Sequence, residues 1–192
     1  MYKLLFTLIF LSLFSCKDKI PCIVKITKQG IFTNEKNSTP ISGLGDEKTT
    51  VFVFVRHAEK STEPKDNPVL SVEGMARAVK LAQILKELDV YRAAVTSSTV
   101  RTAQTAQPLV DLTHCPTDTY SKSATEAFLL SAIQGYKGKV ILVVGHANTI
   151  PEMLNMLLGE KKYEDIDEDE YDNIYIASVI EKGNAKVVHY KY

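Results

Sequence analysis

Two runs of five apolar, strand-prone residues constrain this chain more than anything else in it: Val51-Phe52-Val53-Phe54-Val55 and Val140-Ile141-Leu142-Val143-Val144. An alternating run marks a strand with one wet face, whereas a continuous one marks a strand covered on both faces, as in a parallel sheet between helices. The intervening segments fit that plan. Gly74 to Leu88 carries Ala78, Leu81, Ala82, Leu85 and Leu88 at helical spacing. Ala93-Ala94-Val95 reads as a short buried strand, and Thr99 to Leu112 as a helix that Pro108 should bend or end early. Thr117 to Tyr120 offers another short strand. Thr125 to Gln134 reads as a helix closed by Gly135, and Ile150 to Leu158 as a helix with Pro151 in its first turn. Ile174 to Ile180 and Lys186 to Tyr190, joined by Gly183-Asn184, predict a terminal hairpin. The expected fold is α/β, a three-layer sandwich with a mostly parallel central sheet flanked by helices. Ligands of such sheets sit beyond the carboxyl ends of the strands.

Charge narrows the partners. Lys plus Arg (23) equals Asp plus Glu (23), which leaves no basic surplus for nucleic acid but permits a local basic pocket. No HxH, HExxH or CxxC spacing suggests a metal, so neither metal nor cofactor is expected. The acidic run Glu164-Asp165-Ile166-Asp167-Glu168-Asp169-Glu170 lacks the glycine and ligand spacing of a calcium loop and reads as a solvated loop or a rim. His114, His189 and Lys60 read as ordinary surface or loop residues.

Both strong strands run into histidine: the first into Arg56-His57-Ala58, the second into Gly145-His146-Ala147-Asn148-Thr149. The short strand between them runs into Ser97-Ser98-Thr99-Val100-Arg101-Thr102-Ala103-Gln104-Thr105-Ala106, so two histidines and two arginines converge on one sheet edge. That set suits phosphoryl transfer. Guanidinium forks pair with phosphate oxygens, and an imidazole nitrogen can take the phosphoryl group covalently. From roughly Thr49 to the C-terminus the motifs resemble the histidine phosphatase superfamily, which includes the phosphoglycerate mutases and small phosphohistidine phosphatases. The resemblance implies His57 as nucleophile and Arg56, Arg101 and His146 as phosphate-binding partners. Ala58 stands where the family usually has glycine. The asparagine and serine typical of the mutase branch are missing, which puts sugar-phosphate specificity in doubt.

The short interval between Arg101 and His146 leaves no room for the long insertions that the resemblance implies for a mutase. An open site favours hydrolysis. The expected activity is therefore metal-independent hydrolysis of a phosphorylated small molecule or phosphoprotein. The alternatives are a non-catalytic, lipid-anchored phospholigand-binding module and a phosphoglycerate-mutase-type phosphotransferase. For the proton donor to the leaving group, the family's spacing points to Glu126, with a helix-start carboxylate as the competing reading. Glu59, beside the nucleophile, comes next.

The N-terminus reads as targeting. Lys3 precedes an apolar run, Leu4 to Phe14, too short to span a bilayer but right for a secretory signal. Leu13-Phe14-Ser15-Cys16 resembles the lipobox of bacterial lipoproteins. That implies a signal peptide over 1–15, acylation of Cys16, export and a membrane-bound lipid anchor. Residues 16–48, polar except for a strand-prone spot at Ile23-Val24, read as a tether, and 49–192 as the catalytic domain. Cys22 and Cys115 read as unpaired thiols, with a disulfide as the alternative.

Overall fold

The computed structural model of the chain describes residues 20–34, 38–96 and 99–192. The expected signal peptide and Cys16 lie outside them. Four elements carry the site: β4 (Thr50–Arg56), β5 (Val90–Thr96), β7 (Val140–Gly145) and α2 (Val100–Thr113). The remaining elements are β1 (Ile23–Thr27), β2 (Gly30–Thr33), β3 (Ser38–Thr39), α1 (Val72–Leu85), β6 (Thr117–Tyr120), α3 (Thr125–Gly135), α4 (Thr149–Leu158), β8 (Asn173–Glu181) and β9 (Asn184–Lys191).

The central sheet has the order β6-β5-β7-β4-β8-β9. β6, β5, β7 and β4 are parallel, while β8 runs antiparallel to β4 and closes a hairpin with β9. Every residue of β4 and β7 is buried, as the continuous apolar runs require. Strand alternation then sorts the core into two halves. Val51, Val53 and Val55 face the side that holds Leu81, Leu85 and Leu109 of α1 and α2. Phe52 and Phe54 face Leu129, Ile133, Met153 and Leu157 of α3 and α4.

Two expectations need correction. Pro108 does not end α2 early: the helix continues to Thr113. One lost backbone bond at Pro108 is outweighed by the burial of Thr105, Ala106 and Leu109 on the same helix. The tether expected over 16–48 is, in its described part, a folded three-stranded sheet, β1-β2-β3. Ile23, Ile26 and Ile31 are at most 2% exposed and join the α1–α2 half of the core. Burying three such side chains contributes about 1.5–3 kcal/mol each, more than a loose tether could forgo. The first strand also bonds to the domain's edges, Cys22 beside Lys191 and Thr27 beside Glu87. Cys22 and Cys115 are both free thiols.

Candidate active site

The in-register pairing of β4 with β7 sets Arg56 opposite Gly145, and the His57 amide donates to the Gly145 carbonyl at 2.9 Å. The two histidines that follow the paired strands therefore meet: their ring centroids lie 5.2 Å apart at 70°. Glycine is needed at 145, because a Cβ there would fall 2.8 Å from both Ile150 Cδ1 and Thr149 Oγ1. That same hydroxyl accepts the His146 amide at 2.9 Å and fixes the turn into α4. Past His57, the Ala58 amide donates to Thr105 Oγ1, which ties the loop after His57 to α2. Gly74 lets α1 press against this loop, since a Cβ would fall 2.1 Å from the Glu59 carbonyl oxygen.

His57 is 4% exposed, and its Nδ1 lies 2.8 Å from its neighbour's carbonyl, Ala58 O. A carbonyl can only accept, so Nδ1 carries the proton and Nε2 keeps its lone pair. Burial first, then the charges of Arg101, Arg56 and Lys60, push the imidazole down to about 4 against the opposing hydrogen bond. At neutral pH the imidazole is uncharged. Burial likewise pushes His146 down to about 3, helped by Lys122, His57, Arg101 and Arg56. Thr99 Oγ1 stands 3.5 Å from His146 Nε2.

Arg56 is buried beneath the acidic run, an exposed loop as expected, whose main-chain carbonyls turn inward. Its Nη1 donates to the carbonyls of Asp167 (2.8 Å), Glu168 (3.1 Å) and Glu170 (3.1 Å). Nη2 meets Glu168 Oε2 at 3.2 Å, and the Tyr171 ring covers the guanidinium at 4.1 Å. Arg101 stands in the first turn of α2, and burial, then the charge of Arg56, holds its pKa below the ordinary value. The Nε atoms of both arginines are buried without a partner among the described residues. Donors left open on two neighbouring guanidinium groups fit an anion with several oxygens.

The four strand-end residues thus come together, while the two candidate acids do not join them. Glu126 is a correction: its carboxylate pairs with Lys182 at 2.5 Å, in the β8–β9 turn. β8 aligns Ile174 with Val55, beside the site, so Lys182 lies at the opposite end of the sheet. Counting residues from Arg101 could not reveal which way α3 carries that side chain. Glu59 is held by Arg77 through both carboxylate oxygens, at 2.6–2.9 Å. Burial raises its carboxyl, but the Arg77 hydrogen bonds and charge more than reverse this and keep it below the usual range. His114 caps α2, and His189 bonds Asn173 at 2.7 Å while stacking on Tyr175. Ser97 and Ser98 of the Arg101 segment lie outside the described residues. Sequence reasoning missed Tyr171, whose ring centroid is 6.1 Å from that of His57. Nothing in the sequence marks it, because its place depends on the loop folding back over Arg56.

Residues 52–122 match the histidine phosphatase superfamily (branch 1). Among curated proteins, none matches the chain in sequence. Several solved structures share the fold. The protein histidine phosphatase SixA, complexed with tungstate, is 17% identical with a TM-score of 0.60, over 73% of this chain and 96% of that one. An Entamoeba histolytica phosphoserine phosphatase with 3-phosphoglyceric acid is 13% identical, TM-score 0.58, over 74% and 97%. A mycobacterial glucosyl-3-phosphoglycerate phosphatase is 12% identical, TM-score 0.56, over 74% and 99%. At these identities the likeness is one of fold, and it agrees with the superfamily match.

Proposed function

We propose that this protein is a phosphatase that passes the phosphoryl group of its substrate through His57. The observation that carries the reading is the state of that side chain: a neutral imidazole, Nδ1 held by Ala58, beside the charges of Arg101 and Arg56, with no hydrogen bond to Nε2 among the described residues. The Nε2 lone pair attacks phosphorus, and the bond from phosphorus to the leaving group breaks. Water then attacks the phosphohistidine, the P–N bond breaks, and inorganic phosphate leaves with neutral His57 restored. Arg56, Arg101 and His146 hold the phosphoryl oxygens and balance their charge, which supports a reaction needing no metal.

Glu126 and Glu59 are both engaged elsewhere, so the reading favours leaving groups that need little protonation. Imidazole from a phosphohistidine, or a phenol, fits better than an alkoxide. The phosphohistidine phosphatases among the structures of similar fold are consistent with the first. Lipid anchoring through Cys16, with export, is part of the same proposal and rests on the apolar run and Ser15-Cys16. Lipid mass on Cys16 of membrane-fraction protein supports it, and an intact Met1 on the mature chain removes it.

The test is to incubate the protein with an aryl phosphate, denature it rapidly and look for acid-labile, alkali-stable phosphate. Label is expected on the native chain and not on His57→Ala. Label that survives the substitution would sink the assignment. Turnover should persist in EDTA, and activity restored only by a divalent ion would reverse the metal-independent reading.

A further inference from the structure

The Arg56 guanidinium has two kinds of partner. Nη1 is committed to three main-chain carbonyls, which belong to the folded loop and cannot leave without it. The remaining donors, Nη2 and Nε, form the side-on edge that matches two oxygens of one anion. In the structure that edge is half used: Nη2 holds Glu168 Oε2 at 3.2 Å, while Nε is buried with no partner among the described residues. The two ends of the pair also differ in setting. The Arg56 side chain is 2% exposed and that of Glu168 83%, so the carboxylate can swing into water while the guanidinium stays.

We propose that Glu168 is a specificity-determining residue, a displaceable stand-in for the phosphoryl group on Arg56. It covers Nη2 in the resting protein, yields when two phosphoryl oxygens take the Nη2–Nε edge, and returns as inorganic phosphate departs. It touches no reacting atom and acts through Arg56. An anion must outcompete it, so a ligand that satisfies Nε as well as Nη2 holds an advantage over one that offers a single oxygen. This rests on the reading of Arg56 as a phosphate-binding residue.

The experiment is titration of inorganic phosphate into the wild-type protein, Glu168→Gln, Glu168→Ala and Asp169→Asn by calorimetry. Asp169 neighbours Glu168 and is exposed, and its substitution makes the same change in charge without touching Arg56. Both Glu168 variants should bind phosphate about fivefold more tightly, the scale of one exposed ion pair removed from competition, with Asp169→Asn close to wild type. Melting temperature without phosphate is read in parallel. A structural role for Glu168 would lower it and leave phosphate affinity unchanged. Unchanged or weaker affinity in both Glu168 variants overturns the proposal, as does an equal gain in Asp169→Asn, which would mean a general field effect. Aryl phosphate turnover is measured on the same samples. Its absence would remove the hydrolase reading while leaving the binding comparison intact.

Discussion

The two ends of the central sheet treat charge in opposite ways. At the end where β4, β5 and β7 finish, Arg56, His57 and His146 are at most 5% exposed and the guanidinium Nε atoms have no partner among the described residues. At the other end three ion pairs are exposed: Lys28 with Asp89, Lys25 with Glu87, Lys182 with Glu126. Exposed pairs contribute about 0–1 kcal/mol each and carry solubility more than stability. Buried, unpaired donors cost stability, so a fold keeps them where a ligand supplies the missing acceptors. Arg92 Nε, near the start of β5, is likewise buried without a partner among the described residues, but its Nη1 holds Asp118 at 2.6 Å. What sets the candidate site apart is two such guanidinium groups beside two buried histidines.

The largest effect should follow from weakening the unpaired end. Arg101→Met should lower aryl phosphate kcat/KM by about 10²–10³ while the melting temperature holds or rises, because a half-buried charge with an unpartnered Nε is removed. A fall in melting temperature with unchanged turnover would make Arg101 structural.

Next comes acid. His57, His146 and His189 are lowered to about 4, 3 and 4, each chiefly by burial. The unfolded chain, with imidazoles near 6.5, takes up these protons first, so stability is full above about pH 6.5 and falls as the pH drops. The folding constant should lose up to about tenfold per pH unit per histidine until each folded value is passed. Denaturant titrations between pH 7 and 4 measure this, and the ring carbon shift of His57 should titrate near 4. A midpoint near 6.5 would contradict the buried, neutral nucleophile.

The smallest effect belongs to the paired end. Glu126→Gln should change turnover of alkyl and aryl phosphates alike by less than about twofold, with a Glu126–Lys182 coupling under about 1 kcal/mol in a double-mutant cycle. A selective loss on alkyl phosphates would restore Glu126 as the proton donor.

How much of this was legible follows the range of the forces involved. The two apolar runs announced their strands, and the histidines after them announced the site, because strand register carries the end of one run to the end of the other. The β1–β2–β3 sheet was hidden because Ile23, Ile26 and Ile31 sit among Lys25, Thr27, Lys28 and Gln29, and its turn depends on Gly30 at φ 139°. A Cβ there would lie 2.5 Å from the Thr39 carbonyl oxygen, a contact with no sequence signature. Tyr171 and Glu168 were illegible for a related reason. They reach the site through a loop more than a hundred residues from Arg56, held by main-chain carbonyls that any residue supplies.

The docking of the first strand has a geographical consequence. The Lys191 amide donates to the Pro21 carbonyl at 3.0 Å, and Lys191 pairs with Asn173, at the end of the sheet where β4 delivers Arg56. The described part of the chain therefore begins beside the candidate site. Five residues separate Cys16 from Cys22, six Cα steps that span at most about 20 Å. On the proposed anchor at Cys16, that upper bound would keep the start of the described domain within about 20 Å of the lipid, and encounters would become two-dimensional. Phosphates borne by the bilayer itself, or by the first few residues of its resident proteins, would meet the enzyme at an effective concentration that no diffusing solute matches.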